Sequence, residues 1–128
     1  MIRMLVVDDE RDVELLFSQK FRKEIRTGEV QLNFAFNGEE ALTFIHSLNP
    51  FDLVVVLSDI NMPGMTGLEL LKIIKTEYKD LRVMMITAYG DEKNYTSAIS
   101  TGADDFLTKP VDFSMLKEKV LKITKNLN

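Results

Sequence analysis

Short apolar runs alternate along this chain with longer stretches whose apolar residues recur every three or four positions. Leu5-Val6-Val7 is continuous, as expected of a strand covered on both faces, and stops at Asp8-Asp9-Glu10. Val13, Leu16, Phe17 and Phe21 follow with helical spacing. Val30, Leu32, Phe34 and Phe36 alternate strictly and predict a second strand. Asn37-Gly38 has the composition of a hairpin turn, but Ala41, Leu42, Ile45 and Leu48 continue at helical spacing. Asn37 with Glu40 three positions on therefore marks a helix start. Leu53 to Leu57, rich in β-branched valine, is the third strand. After Asp59, Pro63-Gly64 suits the centre of a type II turn, and Thr66 with Glu69 forms a capping box before Leu70, Leu71 and Ile74. Val83 to Ile86 is the fourth strand. Asp91 to Thr101 is a helical stretch poor in large apolar residues. Asp105 to Thr108 is a short fifth strand, and Asp112 caps a last helix carrying Met115, Leu116, Val120 and Ile123.

Five strands alternating with five helices predict parallel βα units. The expected fold is α/β: a doubly wound, flavodoxin-like (βα)5 sheet of five parallel strands in the order 2-1-3-4-5. Residues 1–128 are expected to form a single domain, since no Pro/Gly/Ser-rich linker and no internal repeat divides them.

That topology directs attention to the residues just past each strand, because open α/β sheets bind ligands beyond the carboxyl ends of their strands. Strand one ends at Asp8-Asp9, strand three at Asp59, strand four at Thr87, and strand five just before Lys109. Three carboxylates on one rim repel each other and raise one another's pKa values, and a divalent cation relieves this. All-oxygen ligands suit Mg²⁺, with Mn²⁺ as a substitute. The absence of cysteine and the single histidine disfavour zinc. A carboxylate can also act as the nucleophile in phosphoryl transfer, giving an aspartyl phosphate. Lys109 and the cation would supply positive charge, and Thr87 a hydroxyl donor, to the phosphoryl oxygens.

Composition narrows the alternatives. A net charge of −4 without a basic block argues against direct nucleic-acid binding. No apolar run is long enough to span a bilayer, and the amino terminus is too short and too quickly acidic for a signal peptide, so a cytoplasmic protein is expected. Without cysteine there is neither disulfide nor thiol nucleophile. No Gly-rich loop ends in Gly-Lys-Ser/Thr, a flavin carrier would want a hydroxyl-rich loop where the acidic pair stands, and an Asp-x-Asp phosphatase would want Asp at Asn61.

The segments Leu5-Val6-Val7-Asp8-Asp9-Glu10, Asp59-Ile60-Asn61-Met62-Pro63-Gly64-Met65-Thr66-Gly67, Ile86-Thr87-Ala88-Tyr89 and Lys109-Pro110 resemble the receiver domain of two-component response regulators, in order and over essentially the whole chain. The resemblance implies that Asp59 is the phosphoacceptor, charged from a sensor histidine kinase or a histidine phosphotransfer protein. It implies that Asp9 and Asp59 bind Mg²⁺ directly, Asp8 through water, and Asn61 through its backbone carbonyl. Thr87 and Lys109 would contact the phosphoryl oxygens. Phe106 would be the aromatic switch partner of Thr87, and the Lys109–Pro110 bond would be cis. Asn61 and Tyr89 would occupy positions that tune phosphate lifetime. The protein would catalyse its own phosphorylation and dephosphorylation as a switch rather than a turnover enzyme. Its output would pass to a partner protein or domain, since no effector domain fits within these residues. A receiver-fold scaffold that is never phosphorylated is the alternative. One departure stands out. The family's Asp about five residues before the phosphoacceptor corresponds to Asp52, which here lies seven before Asp59. A two-residue insertion preserves strand parity, so the extra length belongs to the third strand or to the loop before it.

Overall fold

The computed structural model describes residues 2–49, 52, 55–88 and 90–125. The chain forms strands β1 (Ile2–Val7), β2 (Val30–Ala35), β3 (Val55–Asp59), β4 (Arg82–Thr87) and β5 (Asp105–Thr108). Helices α1 (Asp12–Lys20), α2 (Arg22–Thr27), α3 (Gly38–Ser47), α4 (Gly67–Glu77), α5 (Glu92–Thr101) and α6 (Phe113–Lys125) lie between and after them. All strand pairings are parallel, in the order β2-β1-β3-β4-β5. The expected doubly wound sheet is therefore present.

Alternation along the strands divides the core in two. Leu5, Val7, Val56, Val83 and Met85 face one side, against Ala41 and Ile45 of α3, Leu70, Leu71 and Ile74 of α4 and Ala98 of α5. Met4, Val6, Val55, Leu57, Met84 and Ile86 face the other, against Phe17, Phe21, Leu116, Val120 and Ile123. Central strands buried on both faces read as continuous apolar runs, which is why β1, β3 and β4 were legible without alternation.

The helix starts follow their caps. The Asn37 side chain accepts the Glu40 amide at 2.7 Å, and the Glu40 carboxylate accepts the Phe36 amide at 3.0 Å. Thr66 and Glu69 form the reciprocal capping box. Asp112 accepts the amides of Ser114 and Met115. Gly64 has the positive φ of 73° that a type II turn requires.

Several expectations need correction. The first helix is two segments broken at Phe21 (φ −101°, ψ 13°), so the described residues form six helices rather than five. The Phe21 amide still bonds the Phe17 carbonyl at 2.9 Å and its own carbonyl accepts from Ile25 at 2.8 Å, so the break is a kink. Burial explains it: Phe21 is 1% exposed, its ring beside Phe17 and edge-on to Phe113, and tertiary packing outweighs the local ladder. Leu16 was expected on the buried face but is 43% exposed, because Phe17 and Phe21 fill the space beneath the helix. β2 ends at Ala35, leaving Phe36 in the loop. On α6, Lys117 pairs with Glu24 of α2 and Lys119 with Asp105 of β5, each at 2.9 Å. β3 is described from Val55, and Leu53 and Val54, expected within it, lie outside the described residues. Asp52 sits in a turn, its amide on the Asn49 carbonyl at 2.9 Å.

Helix α5 differs from its neighbours. α4 buries Leu70, Leu71 and Ile74, whereas Ala98 is the buried apolar residue of α5 among the described residues, and Tyr95 and Ile99 are over two-fifths exposed. Each fully buried Leu or Ile contributes roughly 1.5–3 kcal/mol, so α5 is held several kcal/mol less firmly than α4.

Candidate functional site

The parallel register brings the strand ends together. Val7 pairs with Ser58 across β1 and β3, Asp59 with Ile86 across β3 and β4, and Thr87 with Thr108 across β4 and β5. Each next residue along these strands therefore emerges at one rim. Carboxylate oxygens of Asp8, Asp9 and Asp59 all lie within 4.8 Å of one another. The Lys109 ammonium donates to Asp59 Oδ2 at 3.0 Å. Asp8 and Asp59 are buried and Asp9 is exposed, so the cluster has an enclosed floor and an open edge.

Local backbone contacts hold these groups. Asp8 Oδ1 accepts the Glu10 amide at 2.9 Å, and the Asp8 amide bonds the Ala35 carbonyl at 3.1 Å, tying the acidic loop to the end of β2. The Lys109 amide bonds the Thr87 carbonyl at 2.8 Å, and the Lys109–Pro110 bond is cis, as expected. Behind Asp59, Gly67 donates to the Ile60 carbonyl at 2.8 Å. A methyl group on Gly67 would overlap the Asp59 carbonyl and come within 2.7 Å of Ile60 Cα. Sequence reasoning assigned Gly67 no role; its signal was a glycine at the first position of the capped helix that follows the Pro63-Gly64 turn. A second notch, at Gly38, receives the Met65 side chain from the loop after Asp59.

Electrostatics match the crowding. Burial pushes the Asp8 carboxyl above its ordinary 3.8; the Glu10 amide opposes this, and the neighbouring Asp59 charge adds to it. Burial alone would lower the Lys109 ammonium below its ordinary 10.5, but the hydrogen bond and charge of Asp59, with Asp8 and Glu10 behind, raise it on balance. Lys109 is thus a fixed cation, while three carboxylates share that one compensating charge. This all-oxygen set, short of positive charge, fits a divalent metal ion.

The Thr87 side chain is 1% exposed, and its Oγ1 is buried without a hydrogen-bond partner. A hydroxyl in that state has an unused donor, which costs about 1–3 kcal/mol. Phe106 does not join the acidic cluster. It is half-buried on β5, its ring centroid 4.2 Å from that of Tyr95 on α5. Asn61 follows β3 on the same rim and is exposed. Tyr89 lies outside the described residues. His46 pairs with Glu77 at 3.0 Å on the surface, apart from the acidic cluster. A cleft of about 970 Å³ adjoins the site, bounded by Asp8, Glu10, Phe17, Lys109, Phe113 and Lys117. No helix among the described residues is long and apolar enough to cross a membrane.

Comparison with known proteins agrees with this architecture. The family model described as the response regulator receiver domain matches residues 4–121. The chain is 33% identical to the chemotaxis protein CheY of Pseudomonas aeruginosa, over 99% of both chains. It is also 33% identical to sporulation initiation phosphotransferase F of Bacillus subtilis, over 94% of this chain and 91% of that one. It is 39% identical to the response regulator protein PilR of P. aeruginosa over 92% of its own length, but spans only 25% of that longer protein. Among solved structures, TrrA of Thermotoga maritima, determined in complex with Mg²⁺–BeF, superposes with a TM-score of 0.80 at 36% identity, covering 96% of this chain and 99% of that one. A receiver domain of Clostridium thermocellum superposes with a TM-score of 0.88 at 25% identity, covering 98% and 96%. With its parallel sheet, its rim of carboxylates and its match over nearly the full length, the chain belongs to the receiver domains of two-component response regulators.

Proposed function

We propose that this protein is a phosphorylation switch in which Asp59 takes a phosphoryl group from a phosphohistidine of a sensor kinase or phosphotransfer protein. The observation that carries the reading is the 3.0 Å contact of Lys109 with Asp59 beside the carboxylates of Asp8 and Asp9. A carboxylate oxygen of Asp59 forms the new P–O bond. The P–N bond to the donor imidazole breaks, and its electron pair leaves with the imidazole nitrogen. Asp8, Asp9, Asp59 and the Asn61 carbonyl would hold Mg²⁺, or Mn²⁺ in its place, which supplies charge neutralisation for the phosphoryl oxygens. Lys109 stays protonated and offers its ammonium to one of those oxygens. Thr87 offers the hydroxyl that otherwise has no partner.

The same hydroxyl links chemistry to output. Drawn toward the phosphoryl group, Thr87 vacates space at the end of β4, and Phe106 moves inward from its place beside Tyr95. Helix α5, with one buried apolar residue among those described, is the element weakly enough held to follow. Residues 1–128 act as one receiver unit in the cytoplasm, and the altered surface of α5, β5 and α6 is read by a partner protein or domain rather than by nucleic acid or membrane. The protein turns over no external substrate beyond its own phosphoryl cycle.

Incubation with Mg²⁺ and acetyl phosphate, followed by intact mass, tests the reading. One acid-stable, base-labile phosphate that is lost in Asp59→Asn is expected. Absence of an adduct, with acetyl phosphate and with a cognate kinase, would leave a scaffold instead.

A further inference from the structure

Arg11 closely follows the acidic pair in the chain and has no carboxylate partner among the described residues. It lies two residues beyond Asp9, at the start of α1, and is exposed. Its sequence neighbours Asp9, Glu10, Asp12 and Glu14 are all acidic, yet Arg11 makes no ion pair among the described residues. Its guanidinium carbon sits 4.2 Å from the centroid of the Phe36 ring instead. Phe36 directly follows Ala35, whose carbonyl holds the Asp8 amide, so this stack closes the β2 side of the acidic loop. Lys109 enters the same rim from β5. Along the strand order, the carboxylates are bracketed by a cation on each side.

The two cations are in different states. Lys109 is bonded to Asp59, whereas the Arg11 guanidinium, its carbon over the Phe36 ring, spends no N–H donor on a carboxylate among the described residues. Three carboxylates against one ammonium leave two net negative charges, which a divalent ion would cancel. Lys109 and that ion then bring the pocket to neutrality, with no surplus attraction for an incoming dianion. Glu10, whose charge also acts on Asp8 and Lys109, would leave the rim negative, and Arg11, next to it in the chain, is the charge that offsets it.

Resting on the phosphoacceptor reading above, we propose that Arg11, parked on Phe36, is a specificity-determining residue that receives the phosphoryl group of doubly charged phosphodonors. It acts on the donor before and during transfer and takes no proton. With acetyl phosphate, an Asp59 oxygen–phosphorus bond forms, the bond from phosphorus to the acetate oxygen breaks, and acetate leaves with the electron pair. With phosphoramidate, the phosphorus–nitrogen bond breaks and ammonia leaves. At neutral pH acetyl phosphate is a dianion, and phosphoramidate carries one negative charge less.

The test compares both donors, with Mg²⁺ saturating, on the wild-type chain and on Arg11→Gln, Arg11→Lys, Phe36→Leu and Asp59→Asn. The rate of adduct formation is read by intact mass at several salt concentrations. Arg11→Gln should slow acetyl phosphate by about five- to tenfold and phosphoramidate by less than about twofold, and should flatten the salt dependence with acetyl phosphate. Arg11→Lys should recover part of the loss, and Phe36→Leu, which leaves the arginine unstacked, should fall between wild type and Arg11→Gln. An equal loss with both donors would mean a merely structural role and would overturn the inference, as would no loss with either. If the wild-type chain forms no adduct with either donor, the phosphoacceptor reading itself fails; an adduct lost in Asp59→Asn but formed with an unchanged donor ratio refutes the role of Arg11 alone.

Discussion

Replacing Asp8 by Asn should stabilise the metal-free protein and cost it its response to Mg²⁺. Asp8 and Asp59 are 5% and 4% exposed, with carboxylate oxygens within 4.8 Å. At an effective dielectric of about 20, two unit charges at that separation repel by roughly 3.5 kcal/mol. Attraction to Lys109, which Asp8 also feels, offsets part of this. The Glu10 amide can bond an Asn carbonyl as well as the carboxylate it meets now. A net gain of about 1–3 kcal/mol is expected, which raises the melting temperature by roughly 4–10 °C for a domain of this size. The sign with pH follows from the raised pKa of Asp8. The folded state binds the Asp8 proton more tightly than the unfolded state does, so wild-type stability falls as pH rises through the folded value. The advantage of the Asn variant is therefore full at neutral pH, shrinks as pH falls through the raised value, and is gone below the ordinary 3.8. Bound cation reverses the order at neutral pH. Wild type should gain about 2.7 kcal/mol at a hundredfold excess of Mg²⁺ over its dissociation constant, and the variant much less. Urea unfolding followed by circular dichroism, with EDTA and with Mg²⁺, measures both terms. A variant less stable than wild type in EDTA, or one that keeps the full Mg²⁺ gain, would refute the reasoning.

Other substitutions probe the rest of the site. Thr87→Val removes a buried hydroxyl without a partner, so metal-free stability should hold or rise by up to about 1 kcal/mol in urea titrations, while Mg²⁺-dependent phosphorylation slows. Gly67→Ala forces a methyl group against the Asp59 backbone and should cost about 2–4 kcal/mol by the same measurement, with slower phosphorylation because Asp59 itself is displaced. Glu24→Gln breaks the 2.9 Å pair with Lys117 and should cost less than about 1 kcal/mol at neutral pH. The Lys117 hydrogen bond holds the Glu24 carboxyl below its ordinary 4.5, so that contribution is present above 4.5 and is lost as pH falls through the depressed value; wild type and variant should converge in acid.

Much of this molecule was legible in order along the chain. The strands, the helix starts at Asn37, Thr66 and Asp112, and the placement of Asp8, Asp9, Asp59, Thr87 and Lys109 at or just beyond strand ends all follow from spacing within a dozen residues. Periodicity reports which face of an element is buried, and capping reports where a helix begins, because both are local effects. The parallel order 2-1-3-4-5 followed from the alternation of elements, since few topologies satisfy it.

What periodicity does not report is the surface against which a face is buried. The kink at Phe21 exists because Phe113, far along the chain, packs edge-on to its ring. Lys117 and Lys119 find their partners, Glu24 of α2 and Asp105 of β5, only through packing, each at 2.9 Å. Gly67 gained a meaning only when the Asp59 carbonyl was found pressed against its α-carbon, and Arg11 only when Phe36 was found beneath it. The 3.0 Å from Lys109 to Asp59 joins residues fifty positions apart. The amino-acid order by itself determined which groups reach the rim. How closely they approach, which charges go uncompensated and which hydroxyl is left unpaired were decided by packing between distant elements, because those quantities depend on ångström-scale separations that no local pattern encodes.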